Sequence, residues 1–123
     1  VINIYMKTHH ELTVWKKSID FVTTVYKITE EYPKTEIYGL TNQVRRAVVS
    51  VPSNIAEGAA RTSKKEFSHF LSISLGSISE VETQLIVSRN LNYITNEQLE
   101  NLLSELIEIR KMIIGLKKTM SDY

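Results

Sequence analysis

Apolar residues recur at steps of three and four along the chain, with no convincing two-residue alternation, and this periodicity predicts an all-α protein of four helices. The first is expected from Thr13, as N-cap, to just before Pro33. It carries Trp15, Ile19, Val22 and Tyr26 on one seam and Val14, Phe21, Val25, Ile28 and Tyr32 beside it. The second runs from about Gly39 to the Gly58–Arg61 region and contains Pro52, which lacks a backbone donor and so frees the carbonyl of Val48. Ser63-Lys64-Lys65-Glu66 reads as a capping box opening a third helix that ends near Leu91, with Phe67, Leu71, Ile78, Val81 and Leu85 on its core side. Small residues, Ser68, Ser72, Gly76 and Ser79, lie alongside, either to let a neighbour approach closely or as a solvated serine face. Thr95-Asn96-Glu97-Gln98 repeats the capping signal, and Leu99, Leu102, Leu106, Ile109, Ile113, Leu116 and Met120 follow as a heptad seam.

Four helices with short connections fold most simply as an up-down-up-down antiparallel four-helix bundle, expected over residues 9–120. Residues 1–8 are expected to be an N-terminal extension and 121–123 a C-terminal tail. Leu103, Ile107 and Ile114 add a second apolar row beside the heptad seam, more than a small monomer needs to bury. They are the candidate subunit interface, the alternative being a broad core face with Leu103 and Ile107 at its edges.

The second helix carries two stripes of opposite character. At ~100° per residue, Gln43, Arg46, Ser50, Ser53, Asn54, Glu57 and Arg61 share one arc, while Leu40, Val44, Val48, Val51, Ile55 and Ala59 share the other. Arginine, asparagine, serine and glutamate are suited to fixed hydrogen bonds, so the polar arc is expected to hold something. With Arg46 and Arg61 beside Asn54 and Glu57, an internal or intersubunit ion-pair network is favoured over a free patch. Arg45, Arg46, Arg61, Lys64 and Lys65 also form a basic cluster of the kind that neutralises phosphates, although Lys64 and Lys65 in the first turn of a helix oppose its dipole and are equally explained as solvated charge. Arg45, Arg46, Asn54, Glu57, Arg61, Lys64 and Lys65 are therefore the candidate residues for a nucleic acid or another partner.

Composition narrows the classes. The 123 residues, 42% hydrophobic, fit one domain, and a net charge of +1 gives no global field that would draw nucleic acid or a membrane. There is no cysteine, which removes disulfides and thiolate chemistry and fits a reducing compartment, so the cytoplasm is the expected location. No apolar run approaches the ~18 residues of a membrane span, and no secretory leader is read at the N-terminus.

Glu66-Phe67-Ser68-His69 has the E-x-x-H spacing of a di-iron carboxylate half-site, but a complete site needs a second such pair, and the other histidines are His9 and His10. No serine sits in a nucleophile elbow and no phosphate loop is present, so no catalytic residue, metal or cofactor is expected. Trp15, Tyr26 and Phe67 lie on apolar seams and read as core anchors.

Leu12–Ser18, Tyr38–Ala47 and Ser50–Gly58, with Arg61, Glu66-Phe67, Phe70-Leu71, Gly76-Ser77 and Glu80–Thr83, resemble the bacterial four-helix-bundle proteins also called 23S ribosomal RNA intervening-sequence proteins. The resemblance implies an up-down bundle assembled into a ring, a homopentamer, with an RNA-linked role. More distantly the chain is similar to the accessory variability proteins of diversity-generating retroelements, five-subunit barrels that are strongly basic where this chain is nearly neutral. The expected function is a non-enzymatic oligomeric helical-bundle scaffold that binds structured RNA or a ribonucleoprotein. The alternative is a protein–protein adaptor that binds no nucleic acid.

Overall fold

Each of the four helices begins and ends where local chemistry dictates. The computed structural model describes residues 12–120; the expectations for residues 1–11 and 121–123 lie outside them. Helix α1 spans Thr13–Thr29, α2 Leu40–Ala59, α3 Lys64–Asn90 and α4 Asn96–Lys118, with a short 3-10 turn at Lys34–Glu36 between α1 and α2. Leu12, not Thr13, is the N-cap of α1, and it offers no side-chain bond. At α3 the Ser63 hydroxyl accepts from the Glu66 N–H at 3.1 Å. At α4 the full capping box forms: Gln98 N–H donates to Thr95 Oγ1 at 3.0 Å and Thr95 N–H to Gln98 Oε1 at 2.9 Å.

The turn from α3 to α4 is a Schellman arrangement. Asn92 takes a φ of 63°, a left-handed conformation that asparagine tolerates. Its N–H bonds the Arg89 carbonyl at 3.0 Å, and that of Tyr93 bonds the Ser88 carbonyl at 2.9 Å. The reversal presents Tyr93 to the opposite connection, where its hydroxyl donates to Glu36 Oε2 at 2.8 Å while Glu36 Oε1 accepts from the Leu40 N–H at 3.0 Å. Glu36 thus satisfies a free donor at the start of α2 and ties it to the α3–α4 turn.

Contacts join α1 to α2, α2 to α3, α3 to α4 and α4 back to α1, with none across either diagonal. The four helices therefore stand as the corners of a square, the antiparallel bundle expected from the sequence. Its core is built from Val14, Phe21 and Val25 of α1, Val44, Val48, Val51 and Ile55 of α2, Leu71, Ile78, Val81 and Leu85 of α3, and Leu102, Leu106, Ile109 and Ile113 of α4. The heptad seam of α4 is thus buried through its centre. One expectation needs correction. On α1 the Trp15–Ile19–Val22–Tyr26 seam is peripheral: Ile19 and Tyr26 are each 38% exposed, and Tyr26 is not a core anchor. On α3 the small row is the solvated face of the two readings, with Ser72, Gly76 and Ser79 facing solvent, and the buried small residues are Ser74, Ser77 and Ser88.

The most extensive contact is between α2 and α3. Helix α2 runs unbroken through Pro52, and Ser74 Oγ donates to the neighbouring Val51 carbonyl at 2.9 Å. At the far end Gly58 is buried so tightly that a Cβ there would lie 2.8 Å from Phe70 Cβ and 2.9 Å from Phe67 Cδ1. We expect Gly58→Ala to destabilise the fold by about 1–3 kcal/mol through overpacking. Gly76→Ala, in a helix with nothing within 4 Å of the added carbon, should stabilise it by about 0.5–1 kcal/mol. Paired thermal melts of the two variants check both signs.

The clasp at Glu36 predicts a pH dependence. The Leu40 N–H first, and the Tyr93 hydroxyl second, hold its carboxyl below the ordinary 4.5. A carboxylate whose folded pKa is depressed contributes stability above its unfolded value and loses it as pH falls through the folded one. The difference in melting temperature between the wild type and Glu36→Gln should therefore be full at neutral pH and shrink below about pH 4.5. A difference that stays constant from pH 7 to 3 would refute the clasp.

Candidate functional site

The basic and polar residues singled out on α2 take separate paths. Arg45 turns towards the end of α1, where its Nε donates to Thr29 Oγ1 at 2.8 Å and its Nη2 to the Tyr26 carbonyl at 3.2 Å. Its guanidinium lies 4.6 Å from the centre of the Tyr26 ring. That carbonyl belongs to the last turn of α1, the negative end of the helix dipole, which favours a cation. Arg45 is a strut between helices.

Arg61 pairs with Glu57 at 2.5 Å, one helical turn back, and lies 4.8 Å from the centre of the Phe70 ring. Both partners are substantially exposed, so the pair is worth little to stability. Asn54 Nδ2 donates to the Ser50 carbonyl at 2.8 Å and to Ser50 Oγ at 2.9 Å, and Ser77 Oγ of α3 donates to the same Ser50 Oγ at 2.8 Å. The single buried network of Arg46, Asn54, Glu57 and Arg61 does not form within the chain. Shared direction on a helix puts side chains on one arc, but Glu57 and Asn54 find nearer partners one turn away.

Arg46 stands apart. Each other arginine has a partner, Arg89 at Asn92 and Asn96 and Arg110 at Glu82, whereas Arg46 makes no hydrogen bond or ion pair among the described residues. It lies on a groove of about 770 Å³ that crosses α2, bounded by Tyr26 on one side and by Gln43, Ser50, Glu80 and Gln84 on the other. A second hollow of about 450 Å³ continues between α2 and α3 past Leu40, Thr83 and Val87. Tyr26, Glu80 and Gln84 were not legible as site residues from the sequence, because periodicity shows which residues share a helix face but not which helix lies beside them. Lys64 and Lys65 are exposed in the first turn of α3 and have no partner among the described residues.

Two apolar strips complete the surface. On the α1/α2 side, Trp15, Ile19 and Val22 face Val49 and Pro52 across a shallow hollow of about 260 Å³. On the α3/α4 side an ion pair joins Arg110 to Glu82 at 3.0 Å. Ile107 and Ile114 lie three residues before and four after Arg110, and Ile86 four after Glu82, so by helical step the three isoleucines flank that bridge. They are 46%, 38% and 41% exposed respectively, and Leu103 is half-buried against the core beside them. In the square arrangement these two sides are opposite.

Among the described residues no three His, Asp or Glu side chains gather as a metal would require. His69 is exposed, edge-on to Phe70 at 5.5 Å. No described helix is long and apolar enough to cross a membrane.

The fold and surface define an all-α bundle with open grooves on its sides. Residues 10–115 match the family described as 23S rRNA-intervening sequence protein, and the chain belongs to that family. A crystal structure of a protein of unknown function from the S23 ribosomal protein family of Bacteroides thetaiotaomicron VPI-5482 is similar, at 27% identity and a TM-score of 0.78 over 85% of this chain and 95% of that one. No curated protein matches the chain.

The division of roles predicts a stability pattern. Arg45→Ala removes charge-assisted bonds to α1 and should cost about 1.5 kcal/mol. Arg46→Ala and Glu57→Ala should each stay within about ±0.5 kcal/mol. Denaturant unfolding of the three variants in parallel checks the order.

Proposed function

We propose that the protein is a non-enzymatic, cytoplasmic scaffold that assembles head to tail into a ring and binds structured RNA. The observation that carries the assembly is the pair of unlike apolar strips on opposite sides of the bundle. A two-fold dimer uses one self-complementary patch, whereas two different patches back to back suit a heterologous contact in which each copy covers the next. Successive contacts then close into a ring or continue as a fibre, and the five-fold ring implied by the family resemblance is the closed solution. RNA as partner is supported by the family's association with sequences that intervene in 23S rRNA. Exposed Lys64 and Lys65, repeated around a ring, supply phosphate contacts that one nearly neutral subunit lacks.

A specific observation favours the adaptor as the second reading: Arg45 and Arg61, two of the five clustered cations, already hold partners within the chain.

Light scattering after size exclusion should give a mass several times 14.1 kDa. Ile19→Glu and Ile107→Glu should each lower that mass, and an equimolar mixture of the two should recover a two-chain complex through the one intact strip on each. Wild type that runs as a monomer at micromolar concentration refutes the ring. RNA affinity should fall steeply with salt, with a shallower slope for the double variant Lys64→Glu and Lys65→Glu. Binding undetectable at ~50 mM salt would transfer the assignment to the adaptor.

A further inference from the structure

We infer that the groove beside Arg46 is a recognition site for an unpaired guanine base, a step that rests on the RNA reading above and names what the scaffold reads. Three observations converge. Arg46 is a guanidinium without a protein partner on the wall of a groove whose volume, about 770 Å³, lies in the range of small-molecule sites. Glu80 lines the same groove, yet the two opposite charges form no ion pair with each other. Gln84 lines the same groove, its Oε1 buried without a donor, and Ser50 Oγ, already accepting from Asn54 and Ser77, has its own proton unspent.

A bare phosphate does not match this set, because Glu80 repels it. The set asks for a neutral, planar group with acceptors on one edge and donors on the next. Guanine presents the O6 and N7 acceptors, which a guanidinium reads bidentately, and beside them the N1–H and N2–H donors that a carboxylate accepts. Adenine places a lone pair at N1, cytosine one at N3, and uracil only a single donor, so each sets Glu80 against an acceptor or leaves it half-used. The Gln84 and Gln43 amides, each donor and acceptor, serve the remaining polar positions. Leu40 and Val87, where the groove continues, offer apolar contact to a flat ring. Base edges are open to such contacts in single-stranded loops and bulges, not in the deep groove of an RNA helix.

The test uses the intact protein and fluorescence anisotropy of a labelled single-stranded RNA containing guanines, competed by the four nucleoside monophosphates and by IMP. GMP should compete at least about tenfold better than AMP, CMP or UMP, the discrimination that a bidentate base contact supplies. IMP, lacking the N2 amine, should fall between GMP and AMP. Arg46→Ala and Glu80→Gln should each weaken guanine-dependent binding about tenfold while leaving the melting temperature and assembly mass unchanged, and Glu80→Gln keeps the test valid should Arg46→Ala fold poorly. RNA binding that is indifferent to base, and strengthened by Glu80→Gln, would overturn the guanine site while leaving the RNA scaffold intact. No RNA binding at all would overturn both.

Discussion

The close approach of α2 and α3 is the constraint on which the rest of the molecule depends. At Gly58 the absence of a side chain lets Phe67 and Phe70 seat directly against the α2 backbone. Further along, Ala47, Ser74 and Ser77 are small enough to keep the helices close. Small polar residues at a buried contact must spend their hydroxyls. Ser74 does so on the Val51 carbonyl and Ser77 on Ser50, so the contact is both tight and hydrogen-bonded. Past Ser50 the facing residues become Gln43, Glu80 and Gln84, too long to interdigitate in the same way, and the surface between the helices opens into the groove. The groove is thus the consequence of a tight seam that changes residue size partway along. Its open end is held from outside the seam, by Glu36 capping α2 and Tyr93 tying it to the far turn.

Charge in this chain is arranged for geometry more than for field. With a net charge of +1 no long-range attraction selects a partner, and most arginines are committed to neighbours. Arg45 ties α2 to α1, Arg110 ties α4 to α3, and Arg89 fastens the α3–α4 turn through Asn92 and Asn96. These bonds orient elements and give modest stability where they are exposed. Arg46 differs because its geometry is not consumed by the fold, and a free guanidinium in a groove is a directional donor waiting for a planar acceptor.

The heptad seam, the Thr95 capping box, the Ser63 half of its counterpart and the four-helix order were legible because each rests on a local rule with a fixed spacing, whereas Thr13 is not the N-cap of α1. Helix α1 was harder. Its two apolar rows are of similar quality, and the row that turns inward is interrupted by Ser18 and Thr29, which look like surface residues. Both are buried, and each donates its hydroxyl to a carbonyl of its own helix, Ser18 to Trp15 and Thr29 to Val25, so they carry no unpaired polar group inward. The polar arc of α2 was legible as an arc but not as a set of partnerships. Helical step places Arg46, Asn54, Glu57 and Arg61 together, yet which pair forms is decided by reach along the helix and by Ser77 from α3. Glu36 and Tyr93, 57 residues apart, meet only because the bundle brings two connections to the same end. No spacing rule announces such a pair.

The four sides of the bundle are unequal, and this inequality constrains any assembly. Head-to-tail association through the α1/α2 and α3/α4 strips leaves the α2/α3 and α4/α1 sides uncovered. The α4/α1 side carries the Lys17–Glu108 bridge at 2.9 Å, a closed pair of charges. The α2/α3 side carries Gln43, Glu80, Gln84 and the inner part of the groove, which continues over α2 to Val49 and Tyr26 at the edge of the α1/α2 strip. In a closed ring one of these sides faces the axis and the other the outside, so every copy presents the same groove in the same sense. A site that reads one base weakly in a single subunit then becomes one of several at fixed spacing. A flexible single strand that reaches two or more of them gains affinity from effective concentration without any additional contact. In the proposed ring the binding strength would reside in the repeat, because a net charge of +1 on each subunit supplies little attraction to a single contact.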